Sequence, residues 1–438
     1  MPAKKSVTTT PKEQRALPKA TTGKISPLTR ARTALKSILK GEDHVVPLSE
    51  DLFRQSIPHI PTGSIIVDYA VGGKPNANGV SPCPGIPRGR ITQLYGNNSA
   101  GKTTLALTVC ATVCAAGGTC AYIDWEHEVE PRYARTLGVP IDDEAHFILV
   151  QPDTLEEGMK AMILFISEGV DLIVLDSVGA GIPEVIWTRG VEEEGNQTRP
   201  GLVAAKWSEF LPKVKSAMKK SGTTVLAISQ LRKTMNSMGS AGGPDSAPQG
   251  GEAWKFYTSV RMMLRVFQKE KAKQFDPLTG KMEDRVVGII VVLKMEKCKV
   301  SDSVNNEYKF YLRSGFGIDN ARSVVELAIA HKIITKGGAW YEWPAAPGGT
   351  PLRANGMEAL LKSIRVDPKI LKALFDQVTP KLMAIHVANT QVDDTPEDGP
   401  SEEDIDELLS IVPGNTMKQA LAEAAAEEDA AEEVEAPA

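Results

Sequence analysis

Short runs of apolar, often β-branched residues recur along the middle of the chain. They cover residues 91–95, 119–124, 172–176, 223–229 and 288–293. Because both alternating faces of these runs are apolar, they are typical of strands that are buried on both sides. Segments with helical spacing separate the first four runs, which predicts a mainly parallel sheet flanked by helices. The predicted fold class is therefore α/β.

The ends of the chain lack this alternation. Residues 1–28 show no apolar periodicity, and we expect them to be disordered. Residues 29–40 place apolar side chains at helical spacing beside basic ones, which predicts an amphipathic helix that must pack on something else. The predicted organisation is an N-terminal arm with an oligomerisation helix (1–45), a core (46–315), a small C-terminal α/β domain (316–390) and a disordered tail (391–438).

Charge is distributed very unevenly along the 438 residues, although the net charge is only −5. Residues 1–40 contain ten Lys or Arg and one acid, whereas residues 391–438 contain sixteen acids and one Lys. Such extensions are expected to meet nucleic acid or each other, and the alternative is that they are solvated tails. The sequence has no run of 18 apolar residues and no secretion signal, so we expect a cytoplasmic protein without membrane contact.

The strongest local signal is a phosphate-binding motif directly after the run 91–95. Its residues are Gly96-Asn97-Asn98-Ser99-Ala100-Gly101-Lys102-Thr103, followed by Thr104 and a predicted helix over 104–116. The backbone N–H groups of such a loop and the helix N-terminus bind phosphate oxygens. We expect Lys102 to reach the β- and γ-phosphates and the Thr103 hydroxyl to hold Mg²⁺. The motif predicts a nucleotide site to which Thr104 also belongs.

Two acids follow neighbouring strands. Asp176 ends the apolar run 172–176, which is the pattern of a second magnesium-positioning group. Glu126 lies just past the run 119–124 and could accept a proton from an attacking water molecule. The alternative for Glu126 is an ordinary loop acid.

Taken together, the motifs resemble the RecA-type DNA recombinases of bacteria and phages. The resemblance rests on the phosphate loop and on Ala121-Tyr122-Ile123-Asp124-Trp125-Glu126-His127, Pro131-Arg132-Tyr133-Ala134-Arg135, Val174-Leu175-Asp176-Ser177, Ile228-Ser229-Gln230-Leu231-Arg232 and Gly250-Gly251-Glu252-Ala253-Trp254-Lys255-Phe256-Tyr257. It implies a RecA-like P-loop core that uses ATP and Mg²⁺. It also implies a DNA-dependent ATPase that forms helical filaments on single-stranded DNA and exchanges strands with homologous duplex DNA.

The resemblance also assigns roles to single residues. It implies that Glu126 is the catalytic carboxylate, with Lys102 on the phosphates, and that Gln230 senses the γ-phosphate. Glu130 and Tyr133 fall where the family contacts adenine. Lys297 and Lys299 resemble the lysine pair that reaches the phosphates from a neighbouring subunit, so copies of the chain would share each site. Loading or mediator proteins and single-strand-binding proteins are the further partners that the resemblance implies.

Two long irregular stretches resemble the family's DNA-binding loops, at residues 181–201 and 231–251. The side chains expected to meet DNA in or beside them are Arg199, Arg232, Lys233, Met235, Met238 and Lys255. The alternative is that both stretches are surface loops, and the acidic run Glu192-Glu193-Glu194 would repel a phosphate backbone. Trp187 and Trp254 flank the stretches and could stack on bases or belong to the core.

The chain departs from the family at two places. Residues 74–84 look like an insertion and contain Cys83, the one cysteine that we expect to be exposed. No aromatic residue stands at 318–321 to stack on adenine, which leaves Tyr133. Two other functions remain open at this point: a hexameric helicase or translocase on the same core, and a non-catalytic, nucleotide-gated protein that coats single strands.

Overall fold

The structure is a computed structural model that describes residues 57–73, 81–188, 199–233, 246–276 and 280–390. The side chains of residues 199, 200, 233, 246, 247, 276 and 381–390 are outside the description. The expectations for residues 1–45 and 391–438, and for Met235 and Met238, also lie outside the described residues. The chain divides into two compact units between Asp319 and Asn320.

Helices and strands alternate along much of the first unit, and the second unit also contains both. The helices are α1 (Ile65–Gly72), α2 (Lys102–Ala115), α3 (Pro131–Thr136), α4 (Leu155–Ser167), α5 (Glu184–Trp187), α6 (Arg199–Ser221), α7 (Ala253–Tyr257), α8 (Asn320–Ala330), α9 (Met357–Arg365) and α10 (Pro368–Thr390). The strands are β1 (His59–Ile60), β2 (Ile86–Pro87), β3 (Ile91–Gly96), β4 (Cys120–Asp124), β5 (Phe147–Val150), β6 (Leu172–Asp176), β7 (Thr224–Lys233), β8 (Ser246–Pro248), β9 (Val260–Asp276), β10 (Lys281–Cys298), β11 (Glu307–Arg313), β12 (Gly317–Ile318), β13 (Thr335–Gly337), β14 (Trp340–Trp343) and β15 (Leu352–Asn355).

A large mixed sheet forms the first unit, in the order β12-β11-β10-β9-β3-β7-β6-β4-β5, and β8 pairs with β7. The strands from β9 to β5 in this order are parallel, whereas β10, β11 and β12 are antiparallel additions. The predicted α/β class with a mainly parallel sheet is confirmed. The fifth predicted run, residues 288–293, is one part of the much longer β10, which forms an antiparallel hairpin with β9.

The interior strands β3, β4 and β6 are buried along their whole length, as their continuous apolar sequences predict. Every residue of β4 and β6 is buried. On one face of the sheet, Met162 of α4, Trp207 of α6 and Trp254 of α7 join a single apolar cluster with residues of these strands. Burial of that face stabilises the unit in proportion to the apolar area removed from water.

Local capping fixes where the helices near the site begin. Thr154 Oγ1 accepts a hydrogen bond from the backbone N–H of Glu157 over 3.2 Å, and Glu157 Oε2 accepts one from the N–H of Thr154 over 3.1 Å, which is a capping box. Glu130 caps α3, and Pro131 occupies its first turn. These starts determine the direction in which α3 and α4 leave the sheet edge.

The structure corrects two expectations from the sequence. Cys83 is fully buried rather than exposed, and its thiol donates to the Gly85 carbonyl. The stretch 231–251 is not wholly irregular, since its described ends form the antiparallel pair β7–β8. For Trp254 the sequence left base stacking and a core role open, and its exposure of 1% places it in the core.

The second unit is built on an antiparallel sheet in the order β13-β14-β15, with α8, α9 and α10. Trp343 is fully buried, and its indole N–H donates to Gln377 Oε1 over 2.9 Å. Among the described helices of both units, none is long and apolar enough to cross a membrane.

Candidate nucleotide site

The carboxyl ends of four parallel strands bring the predicted site residues together. Gly96 at the end of β3 pairs in register with Gln230 of β7, and Asp124 at the end of β4 pairs with Asp176 of β6. Ligands of open α/β sheets bind outside these carboxyl ends. The strand order alone therefore collects residues that are far apart in the sequence.

The phosphate loop needs glycine at both of its ends for steric reasons. A Cβ on Gly96 would lie 2.0 Å from the Leu264 carbonyl oxygen, and one on Gly101 would lie 2.2 Å from Leu312 Cδ1. Gly101 also has a φ of 84°, a left-handed conformation that glycine adopts without strain. Helix α2 begins directly after Gly101, and its free N–H groups and dipole favour a bound anion.

Lys102 lies inside the loop and is 7% exposed. Its Nζ donates to the carbonyl oxygens of Gly96 over 3.3 Å and Asn97 over 2.9 Å. Burial lowers the pKa of Lys102, and the nearby charges of Asp176 and Glu126 oppose this shift. The ammonium group is therefore held at the point where phosphate oxygens would meet the loop.

Thr103 and Asp176 form the corner suited to a magnesium ion. The Thr103 hydroxyl donates to Asp176 Oδ2 over 2.9 Å, and the Tyr122 hydroxyl donates to the same oxygen over 2.7 Å. Burial raises the pKa of Asp176 to about 6, and these two hydrogen bonds oppose the rise. Mg²⁺ prefers hard oxygen ligands and is commonly held by one or two protein groups, water and substrate phosphates. The corner fits that ligand set, and the described residues contain no cluster of three or more His, Cys, Asp or Glu able to hold a metal alone.

Glu126 is held from two sides by hydrogen bonds to one carboxylate oxygen. The Ser177 hydroxyl donates to Glu126 Oε1 over 2.5 Å, and Gln230 Nε2 donates to the same atom over 2.7 Å. The turn that carries Glu126 is fixed by Asp124, whose Oδ1 accepts from the backbone N–H groups of Glu126 and His127 at 3.0 and 2.9 Å. The side chain is thus oriented rather than free, which is what a general base requires.

These groups surround a cavity of about 400 Å³. It is lined by the phosphate loop with Thr104, by Glu126 and Asp176, and on its outer side by Tyr133. The Tyr133 and Thr104 hydroxyls lie 3.0 Å apart, within hydrogen-bond distance. Glu130 is not one of the described residues that line the cavity. Its carboxylate caps α3 by accepting from the N–H groups of Arg132 and Tyr133.

One wall of the cavity was not anticipated from the sequence. It is formed by Ile289 of β10 and by Leu312, Arg313 and Ser314 at the end of β11. The Arg313 guanidinium lies 3.6 Å from the centre of the Phe316 ring, which makes a cation–π pair beside this wall. The alternating apolar pattern of β11 was the available signal, but only the pairing of β11 with β10 brings this wall beside the phosphate loop.

The remaining predicted residues lie away from this cavity. Lys297 Nζ donates to the carbonyl oxygens of Lys255 and Phe256, and Lys299 is exposed at the end of β10. Lys255 Nζ forms an ion pair with Glu252 at 2.7 Å. Arg232 is exposed on β7, whereas the side chains of Arg199 and Lys233 are outside the description.

A glycine-bounded phosphate loop, a buried lysine, a hydroxyl–carboxylate corner and an oriented glutamate on a mainly parallel sheet define a P-loop nucleoside triphosphatase. The comparisons with known proteins narrow this class. The family model described as "RecA N-terminal domain" matches residues 30–311. "Protein RecA" of Thermus thermophilus is 34% identical over 348 residues, which cover 79% of this chain and 92% of the relative. "Protein RecA" of Pseudomonas syringae is 34% identical over 359 residues, covering 81% and 91%.

The chain belongs to the RecA family. It is an ATP-dependent DNA recombinase and a DNA-dependent ATPase, as the sequence motifs predicted.

Proposed function

We propose that the cavity binds ATP with Mg²⁺ and that Glu126 activates the water that attacks the γ-phosphate. The observation that carries this proposal is the pair of hydrogen bonds from Ser177 and Gln230 to Glu126 Oε1. Among the described residues both donors use that one oxygen, which leaves Oε2 to accept the proton of the water. Hydrolysis would then depend on the position of Gln230 as well as on Glu126 itself.

The other residues of the cavity bind and orient the triphosphate. The amides of residues 96–103 and the Lys102 ammonium meet the phosphate oxygens, with Asn97, Asn98, Ser99 and Ala100 supplying backbone contacts. When bound, Mg²⁺ supplies positive charge that offsets the charge developing on the phosphates. The Thr103 hydroxyl and the Asp176 carboxylate are the groups that would hold the ion. Tyr133 contacts the adenine, with Glu130 fixing the helix that carries it.

The position of Gln230 links the cavity to the proposed DNA-binding stretches 181–201 and 231–251. Gln230 lies on β7, which continues through Arg232 to the start of the residues outside the description. We expect Arg199, Arg232, Lys233 and Lys255 to contact DNA phosphates and Met235 and Met238 to separate bases. Binding of single-stranded DNA would thereby alter the environment of Glu126.

Neighbouring copies complete the site in a helical filament. Lys297 and Lys299 reach the phosphates bound to the next copy, so the triphosphate links two protomers. The edge strand β5 exposes Ile148 and Leu149 beside an apolar cavity of about 470 Å³. An unpaired strand edge with apolar side chains favours a further contact. We propose that the helix predicted at 29–40 of an adjacent copy docks at this edge.

The predicted organisation into an arm (1–45), a RecA-like core (46–315), a small domain (316–390) and an acidic tail (391–438) forms part of the proposal. The tail competes with DNA for basic surface. Homologous duplex DNA is the second substrate of the filament, and loading or mediator proteins and single-strand-binding proteins are its further partners. The location is the cytoplasm, at the nucleoid or in a host cell if the source is viral.

The decisive experiment measures ATP hydrolysis with and without single-stranded DNA, together with strand exchange, for wild type, Glu126→Gln and Lys102→Ala. The assays are run at Mg²⁺ and ATP concentrations that saturate the cavity. We expect DNA-stimulated hydrolysis and strand exchange in the wild type and in neither variant. Open helical filaments in electron micrographs of the ATP and DNA complex are also expected. Closed rings, or hydrolysis by Glu126→Gln at the wild-type rate, would contradict the proposal.

A further inference from the structure

Three tryptophans form a continuous buried cluster beneath the nucleotide site. The ring centres of Trp125 and Trp207 are 6.2 Å apart with planes at 87°, and those of Trp207 and Trp254 are 4.9 Å apart with planes at 64°. None of the three is more than 7% exposed. Edge-to-face pairs of this kind add attraction beyond the burial of their area. We call Trp125, Trp207 and Trp254 the tryptophan cluster.

The members of the tryptophan cluster lie on three elements with different functions. Trp125 directly precedes the proposed base Glu126. Trp207 lies on α6, the helix that follows the proposed DNA-binding stretch 181–201. Trp254 lies on α7, which follows the second stretch, 231–251. The cluster is therefore a direct packing connection between both proposed DNA-binding stretches and the turn that carries Glu126.

Hydrogen bonds attach the cluster to the backbone at the site. The indole N–H of Trp207 donates to the Val178 carbonyl over 2.8 Å, and Val178 follows Ser177, whose hydroxyl binds Glu126. The indole N–H of Trp125 donates to the Thr154 carbonyl over 3.0 Å. A shift of Trp207 would therefore act on the segment that orients Glu126 Oε1.

The packing around the tryptophan cluster leaves no room for independent movement. A Cβ on Gly158 would lie 2.1 Å from Trp125 Cζ2, and one on Gly250 would lie 2.8 Å from Val178 Cγ2 and 2.9 Å from Trp254 Nε1. A Cβ on Gly251 would lie 2.6 Å from Ala204 Cβ on α6. Close-packed interiors transmit small displacements rather than absorb them. Movement of α6 or α7 must then displace either Val178 or a cluster ring.

Trp254 adds an unusual feature to the cluster. Its Nε1 is buried and has no hydrogen-bond partner among the described residues. An unpaired buried donor costs free energy, so the packing around Trp254 must offset that cost. Gly250 lies directly beside this nitrogen at the end of the stretch 231–251, so a change in that stretch acts on the Trp254 environment first.

We propose that Trp207 is a positioning residue that couples DNA binding at the stretches 181–201 and 231–251 to the orientation of Ser177 and Glu126. The proposal rests on the function proposed above, namely that these stretches bind DNA and that Glu126 is the base. Trp207 touches neither DNA nor nucleotide in this arrangement. Its effect is on the DNA-stimulated turnover number, and it leaves nucleotide binding unchanged.

The test compares Trp207→Phe with wild type and with Trp343→Phe as the matched control. Trp343 is equally buried and its indole N–H is also bonded, but it lies in the second unit. For Trp207→Phe we expect the ratio of DNA-stimulated to DNA-free kcat to fall about two- to ten-fold, the range that one hydrogen bond supports. The KM for ATP and the affinity for an oligonucleotide should stay at wild-type values, and the DNA-free kcat should fall less than the DNA-stimulated kcat. Trp343→Phe should keep the wild-type ratio.

Each outcome bears on a different statement. A wild-type protein without DNA stimulation would overturn the proposed function and this inference with it. DNA stimulation in the wild type with an unchanged ratio in Trp207→Phe would overturn only the inference. If Trp207→Phe does not fold, Trp254→Phe takes its place, because it weakens the ring contact through which the stretch 231–251 would act on Trp207. An unchanged ratio in that variant would overturn the coupling of this stretch to Trp207 and with it the inference as stated. An equal fall of the DNA-stimulated kcat and the DNA-free kcat would leave their ratio unchanged, which would indicate a merely structural role and overturn the inference.

Discussion

Gln230 donates a hydrogen bond from Nε2 to Glu126 Oε1 over 2.7 Å. Gln230 lies within β7, Glu126 lies two residues past the end of β4, and β6 lies between these two strands in the sheet. The hydrogen bond between the two side chains therefore crosses the carboxyl end of β6. Any shift of the β7 end changes the orientation of the carboxylate.

Glu126→Gln should abolish most hydrolysis while preserving nucleotide binding. An amide keeps the size of the side chain but cannot take a proton, so we expect kcat to fall about 10²- to 10⁴-fold. The affinity for ATP, measured by equilibrium binding, should change little. Glu128→Gln is the control, since Glu128 lines the same cavity but contacts neither Ser177 nor Gln230 through a described hydrogen bond. A large loss in the control would indicate a general charge effect.

Thr103→Val should raise the Mg²⁺ concentration needed for half-maximal hydrolysis by about ten-fold or more, because valine keeps the shape but loses the hydroxyl. Thr103→Ser retains the hydroxyl and should remain near wild type. The measurement is a magnesium titration of the ATPase rate at fixed ATP. Equal magnesium dependence of the valine and serine variants would remove Thr103 from the metal site.

Arg313→Ala should weaken nucleotide binding without slowing the chemical step. The guanidinium stacked on Phe316 forms part of the cavity wall, and loss of such a flat cationic surface should raise the KM for ATP about three- to ten-fold. The turnover number at saturating ATP should be retained. Arg265→Ala is the control, because Arg265 of β9 is partly exposed, does not line the cavity and pairs with Glu307 of β11 over 2.9 Å. A KM unchanged in both variants would contradict a nucleotide contact for Arg313.

Asp68→Asn should make stability less dependent on pH. Burial raises the pKa of Asp68 to about 7, and its Oδ1 accepts from the Thr62 N–H over 2.8 Å. Between about pH 4 and pH 7 the folded protein keeps a proton that the unfolded chain has released, so this group makes the free energy of unfolding fall as pH rises. The effect is complete above pH 7 and absent below pH 4.

The variant should therefore be more stable than wild type at pH 8, by an amount no greater than about 4 kcal/mol, and nearly equal to it at pH 4. Denaturant unfolding at the two pH values measures the difference. Asp142→Asn provides the comparison, since its side chain is 79% exposed. A constant difference between Asp68→Asn and wild type at both pH values would show that the carboxyl titrates normally.

Much of the first unit could be predicted because its signals are local. The runs at 91–95, 119–124 and 172–176 are apolar on both faces, and strands β3, β4 and β6 occupy nearly the same residues. The phosphate loop is a continuous motif, and its glycines are needed because neighbouring atoms lie too close to leave room for a Cβ. The parallel pairing of β4 and β6 then places Glu126 and Asp176 at the same carboxyl end of the sheet.

Features that depend on pairing between distant segments could not be predicted in the same way. Arg313 became part of the cavity wall through the register of β10 and β11, which no local pattern specifies. Cys83 was expected to be exposed because it lies in the apparent insertion 74–84, yet its side chain is fully buried and its thiol donates to the Gly85 carbonyl. Nothing in the sequence pattern indicated that Glu130, expected near adenine, also caps α3 by accepting from the N–H groups of Arg132 and Tyr133.

The position of β3 in the middle of the sheet has a consequence for biosynthesis. This strand, which leads into the phosphate loop, pairs only with β7 and β9, whose contacting residues 225–230 and 260–264 are made much later by the ribosome. Long-range parallel pairing is slow to form and cannot precede the emergence of both partners. A nascent chain therefore cannot set the phosphate loop into its sheet until the residues up to 264, most of the first unit, have been translated.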